Sequence, residues 1–162
     1  MKKIHTGFTL IELMITLVVA SIVLTVAVPS FSTFFLKNRM SSQANDLITS
    51  LTLARSEAIK RGTSIKVCSS ADQASCGGTW SDGWIVITAD DTELIRAYGA
   101  LKGSSTLTAG ASSVTYTSSG FLNGAQTTFT LCDSTETGED GRQVDVSATG
   151  RPSNISPYPT CS

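Results

Sequence analysis

The stretch Gly7-Phe8-Thr9-Leu10-Ile11-Glu12-Leu13-Met14-Ile15-Thr16-Leu17-Val18-Val19-Ala20 governs the reading of the whole chain. A short polar and basic segment, residues 1–7, precedes it, and apolar sequence continues beyond it to Val28. The 21 residues from Phe8 to Val28 make about 31 Å of helix, enough to span a bilayer. Lys2 and Lys3 hold the N-terminal end in the cytoplasm by the positive-inside rule. Glu12 is the exception inside the apolar run. A carboxylate at membrane depth costs roughly 2.5–3.5 kcal/mol on insertion scales, so Glu12 either stays hydrated near the interface or meets a positive partner. An ordinary secretory signal cut near Thr25-Val26-Ala27 is the competing reading. The charge inside the apolar region argues against it, as does a charge-free run of 24 residues from Leu13 to Leu36.

Outward from this segment, 162 residues and 17.0 kDa leave room for one further ordinary domain. Lys+Arg 12 against Asp+Glu 13 gives a net charge of −1, without a global basic field to advertise a nucleic-acid partner. Charged residues make up only 15%, and the mean hydropathy is +0.13, both set by the N-terminal apolar run. All four cysteines, Cys68, Cys76, Cys132 and Cys161, lie downstream of that run. An even number beyond a membrane signal reads as two disulfides in an oxidising compartment. Sequence order favours Cys68–Cys76 and Cys132–Cys161, each closing locally. Structural zinc needs closely spaced ligand pairs, and neither spacing suits it; the single histidine is His5.

Beyond the apolar run, Leu47, Ile48, Leu51, Ala54, Ala58 and Ile59 recur at helical spacing on one face. Asn45, Asp46, Ser50, Ser56 and Lys60 occupy the other side. Pro29 removes a helical hydrogen bond and loosens or kinks the helix. Lys60-Arg61-Gly62 is a helix stop, with cations at the negative end of the dipole. One helix over Phe8–Arg61 would be roughly 80 Å long. From residue 63 the pattern changes to period two with turn residues between. The expected strands are Ser64–Cys68, Trp84–Ala89, Glu93–Tyr98, Ser113–Thr117, Thr127–Cys132 and Gln143–Ala148, with a short piece at Thr106–Leu107. Asn123-Gly124 predicts a hairpin turn, and the Ser/Thr/Gly-rich stretches 103–113 and 133–141 predict loops. The composite is α+β, a long helix packed on a small antiparallel β-sheet domain.

The segment Gly7-Phe8-Thr9-Leu10-Ile11-Glu12 behind a short basic leader resembles the class III signal of type IV pilins and type II secretion pseudopilins. The resemblance implies that a prepilin peptidase cuts between Gly7 and Phe8 and methylates the new Phe8 amine. It implies that Glu12 then pairs with the N-terminal amine of a neighbouring subunit in a filament, the positive partner asked for above. Downstream, Ala54-Arg55-Ser56-Glu57-Ala58, Cys68, Gly83-Trp84-Ile85-Val86, Thr128-Phe129-Thr130-Leu131-Cys132 and Gly150-Arg151 together resemble the GspH/FimT branch. The organisation that follows is a leader at 1–7, a transmembrane and filament-core half-helix at 8–36, and a periplasmic or extracellular globular domain at 37–162. The implied location is the inner membrane, single-pass with the C-terminal domain in the periplasm, and then a filament. The implied partners are other major and minor pilins, through the N-terminal helix, and the peptidase. A minor pilin supporting assembly of a type IV pilus is the leading reading, favoured by the Gly-Arg element and the cysteine layout. A type II secretion pseudopilin is the alternative.

Chemistry beyond assembly has little to stand on. Removal of residues 1–7 takes away the only histidine, so Ser-His-Asp and Cys-His sites are excluded. Phosphate-binding glycine loops are absent. No catalytic residue, cofactor, small-molecule substrate or metal is expected. The acidic groups Asp90, Asp91, Glu93 and Glu136, Glu139, Asp140 fit no EF-hand spacing and read as solvated loops. The FimT resemblance implies DNA binding through a C-terminal Gly-Arg-x-Arg element, which makes Arg142 and Arg151 the candidate DNA contacts and DNA uptake a further alternative. Here Ser153 stands where the second arginine would be. The stretch from Lys102 to Ser162 carries three cations against five carboxylates, a poor electrostatic grip on phosphates. Trp80 and Trp84 read as core residues rather than a stacking platform for single strands.

Overall fold

The computed structural model describes residues 8–134, 141–155 and 161, without the side chains of 26–33. Two compact units divide the chain, Met1–Asn38 and Arg39–Ser162. One helix, α1 (Leu10–Arg61), contributes to both. It ends where Gly62 takes a positive φ of 67° and its N–H reaches the Ala58 carbonyl at 3.0 Å, the left-handed exit that glycine permits without strain.

In the second unit, eight strands among the described residues form two four-stranded antiparallel sheets. The first contains β1 (Ile65–Ser69), β2 (Trp84–Thr88), β3 (Leu94–Tyr98) and β5 (Ser113–Tyr116), in the order β3-β2-β1-β5. The second contains β4 (Ser105–Ala109), β6 (Thr127–Asp133), β7 (Arg142–Val146) and β8 (Pro152–Ile155), in the order β4-β6-β7-β8. A short 3-10 turn, Trp80–Asp82, links them: the Trp80 ring meets Phe129 edge-on at 4.9 Å, and its indole donates to the Ala111 carbonyl at 2.9 Å. Both tryptophans are core residues, as expected.

Helix residues Met40, Ala44, Leu47, Leu51, Ala54 and Ala58 are buried, the i, i+4, i+7 stripe of a half-buried helix. Two assignments within the helix are corrected. Ser50 is fully buried, not on the polar side, because its hydroxyl accepts the Trp84 indole N–H at 2.9 Å. It donates in turn to the Leu47 carbonyl at 2.7 Å. Ile59 is exposed, although its side chain lies over Gly120.

The Asn123-Gly124 hairpin is also corrected. β5 pairs with β1, whereas β6 pairs with β4 and β7, so the two strands flanking Asn123-Gly124 belong to different sheets. The chain reverses earlier, with the Gly120 N–H bonded to the Thr117 carbonyl at 2.8 Å and Leu122 bridging Tyr116. The segment after Leu122 then crosses between sheets. β6 buries Thr127, Phe129, Leu131 and Asp133 in strict alternation, and that apolar face belongs with Leu107, Val144 and Val146 of its own sheet. The expected loop at 103–113 holds the whole of β4, beyond Thr106–Leu107 alone. β8 was not expected at all. Proline is tolerated where a strand occupies a sheet edge, as β8 does.

Cys68 and Cys76 form one disulfide and Cys132 and Cys161 the other, each with Cα atoms 5.6 Å apart. Inside the smaller loop, Asp72 accepts from the Ser75 hydroxyl at 2.6 Å, from the amides of Ala74 and Ser75, and from the Ser70 hydroxyl. These bonds, led by the Ser75 hydroxyl, hold its carboxyl far below the usual carboxylate range. A depressed folded-state pKa means that the stabilisation is fully present above the unfolded value of about 3.9 and is lost as pH falls below it. Amide exchange at Ala74 and Ser75 is therefore expected to show no pH-dependent loss of protection between pH 8 and 5, once intrinsic rates are removed. Asp72→Ala should abolish that protection across the same range, read by NMR.

Candidate functional site

The first unit begins with a built helix start. Thr9 precedes α1, and its hydroxyl accepts the Glu12 amide at 3.3 Å, while the Leu13 amide bonds the Thr9 carbonyl at 3.2 Å. Thr9 is thus the N-cap and Glu12 the N3 residue, the sequence pattern of a capping box. This places the Glu12 carboxylate in the first turn, where the positive end of the helix dipole favours it. Gly7 lies outside the described residues; Phe8 is exposed.

Large apolar residues around the whole circumference of the first part of this helix are exposed, from 53% at Leu13 to 78% at Leu10. A helix apolar on every side belongs in a lipid or protein environment rather than in water. Its hydroxyls do not spoil that surface. Thr16, Ser21 and Thr25 each donate to the carbonyl three residues earlier, at 2.8 Å, so these three hydroxyls need no donation to solvent. Among the described residues no helix is long and apolar enough to cross a membrane. The described side chains of this stretch stop at Thr25, and the rest of the expected span to Val28 lies outside them.

The two candidate DNA contacts are not brought together. Arg142 opens β7 and donates to the Gly141 carbonyl at 2.9 Å. Arg151 follows the turn at the other end of that strand, where its amide meets the Ser147 hydroxyl. The antiparallel register pairs Gln143 with Ile155 and Val146 with Pro152, which separates the arginines by roughly 15 Å of strand. Gly150 has a structural task. Its φ is +78°, and a Cβ there would collide with the Gly120 carbonyl and crowd the Tyr116 ring. Among the described residues no group of three or more His, Cys, Asp or Glu is placed to hold a metal ion. Glu136, Glu139 and Asp140 lie outside those residues.

One feature with no expectation attached is the contact between Arg39 and Asp133. Arg39 pairs with the buried Asp133 carboxylate, which also accepts from Ser105. The alternation of β6 carries Asp133 inward, yet the 94-residue separation from Arg39 hides the pair from any local pattern.

Comparison with known proteins fits this geometry. No curated protein matches the chain. The fold is similar to that of the type IV minor pilin FimU from Pseudomonas aeruginosa, with a TM-score of 0.66 at 24% identity, covering 80% of this chain and 99% of that one. It is also similar to the minor pseudopilin EpsH from the type 2 secretion system of Vibrio cholerae, with a TM-score of 0.56 at 16% identity, covering 74% and 98%. At such identities the likeness establishes the fold, the pilin-like α+β architecture. Residues 2–28 match the prokaryotic N-terminal methylation motif. Residues 43–150, most of the globular unit, match the type II transport protein GspH model. The chain therefore belongs to the GspH family.

Proposed function

We propose that this chain is a minor, non-catalytic subunit of a type IV pilin-like filament, either a type IV pilus or a type II secretion pseudopilus. The observation that carries the reading is the helix that starts at Thr9-Leu10. Its described side chains as far as Thr25 are apolar on all sides, the hydroxyls of Thr16, Ser21 and Thr25 are bonded within the helix, and one carboxylate lies in its first turn. In this reading the peptidase cuts between Gly7 and Phe8 and the Phe8 amine is methylated. The segment waits in the inner membrane, single-pass, with the cysteine-bearing domain in the oxidising periplasm. On assembly the apolar helix moves from lipid to the company of other pilin helices, an exchange between two apolar surroundings with little hydrophobic cost. Glu12 supplies direction, since its charge is satisfied only where a neighbour's N-terminal amine lies beside it.

Glu12→Ala should lower recovery of the subunit in sheared filaments at least about tenfold, roughly the loss of one buried ion pair's contribution. The level in the membrane and the thermal unfolding of the globular unit, read in the full chain, should stay as in the parent. Normal incorporation of Glu12→Ala would overturn the proposal. Dependence of incorporation on the pilus or on the secretion assembly machinery separates the two settings. A DNA-binding role gains nothing from an arrangement that sets Arg142 and Arg151 at opposite ends of a strand.

A further inference from the structure

A cavity of about 320 Å³ lies between helix residues 39–46 and the segment 98–102 that leaves β3. Arg39, Gln43 and Tyr98 line it, and each has a buried polar atom without a hydrogen-bond partner: Arg39 Nε, Gln43 Oε1 and Tyr98 Oη. Only two other such side-chain atoms occur among the described residues. Gln43 is just 8% exposed and is held in place by its Nε2, which donates to the Lys102 carbonyl at 3.0 Å. Buried polar groups are ordinarily satisfied by protein or by water, so three such atoms around one cavity give it hydrogen-bonding capacity that no protein group uses. Their chemistry is complementary: Gln43 Oε1 needs an N–H, Arg39 Nε needs a carbonyl or carboxylate oxygen, and the tyrosine hydroxyl takes either. A main-chain amide supplies both.

The cavity adjoins a sheet edge that is open among the described residues. β3 is the outermost strand of the first sheet, with Leu94, Arg96 and Ala97 exposed along it. Unpaired strand edges are templates for an added strand. Charge selects among strands. Arg96 lies 5.4 Å over the Tyr98 ring and Lys102 lines the cavity, whereas Asp46 is the one carboxylate in its lining. This patch is cationic on a chain whose net charge is −1.

We infer that the β3 edge and the adjoining cavity form a docking site for an extended, acidic segment of a neighbouring filament subunit. The inference rests on the proposed function, which supplies the neighbour. The added strand pairs with β3, its amides satisfy Gln43 and Arg39, and its carboxylates meet Arg96 and Lys102.

The test places a photoreactive benzophenone amino acid at Ala97 of the full chain, in cells that assemble the filament, with Ser153 on the opposite sheet's edge as control. Sheared filaments are irradiated and the adducts mapped by mass spectrometry. The expected result is an adduct at Ala97, absent at Ser153, with an Asp- or Glu-bearing non-helical segment of another filament subunit. Its yield should fall more than about tenfold with Arg96→Glu and Lys102→Glu together, and return when the mapped carboxylates are replaced by lysine. A chain recovered in filaments without the Ala97 adduct overturns the docking site and leaves the filament role standing. So does an adduct to a helical or neutral segment, or one indifferent to charge reversal. A chain with native residues at 97 and 153 that never enters filaments overturns the proposed function and the docking site with it.

Discussion

Trp84→Ala lowers the stability of residues 37–162 by about 3–5 kcal/mol, the range for deleting a fully buried aromatic. Trp84 is 2% exposed and stacks on Tyr98 with ring centroids 5.4 Å apart. Its indole N–H donates to the Ser50 hydroxyl, so one side chain joins β2 both to the edge strand β3 and to α1. A melting-temperature loss of about 10 °C or more is expected in thermal unfolding. Ser50→Ala isolates the polar part. It leaves the indole N–H buried without an acceptor and should cost about 1–3 kcal/mol. The two changes should be clearly non-additive, since both break the same bond. A fully additive pair would show that this hydrogen bond contributes nothing.

Gly150→Ala is the second large effect, about 3 kcal/mol from backbone strain and collision combined. The positive φ alone disfavours any side chain, and the new methyl would meet the Gly120 carbonyl oxygen, a backbone atom that cannot step aside alone. That oxygen already accepts the Arg55 Nε–H at 3.0 Å, and Gly120 is itself pressed beneath Ile59. The β7–β8 turn, the 117–120 turn and the end of α1 are thereby stacked through two glycines. Arg151→Ala, one residue on, alters an exposed side chain and should change stability by no more than about 0.5 kcal/mol. Chemical denaturation of both variants decides the matter. Equal effects would mean that the turn does not depend on Gly150.

The contrast between neighbours Gly150 and Arg151 shows what a motif hides. The Gly-Arg pair drew attention as a candidate phosphate contact, because arginine chemistry is visible in a sequence. The demand on glycine is a demand on backbone space set by Gly120, 30 positions away, and no pattern near 150 reports it. Ser50 is a similar case. Its polarity put it on the solvent side of the helix, and only the arrival of the Trp84 indole explains its burial. The three orphan atoms of Arg39, Gln43 and Tyr98 come from two elements distant in sequence, so that cavity was illegible as well.

What the amino-acid sequence determined by itself was local or periodic. The apolar run, the buried stripe from Leu47 to Ala58, the Gly62 stop and the alternation of β6 depend on neighbours within a few residues. Short-range hydrogen bonding and side-chain periodicity act there without help from the rest of the fold. The tertiary structure alone decided which strands share a sheet. Asn123-Gly124 became a crossing between sheets because β5 pairs with β1 while β6 pairs with β4 and β7, and β8 became a strand because an edge was open beside β7. Pairing partners are chosen by burying apolar faces across long separations, and that selection is a property of the assembled core, not of any segment in it.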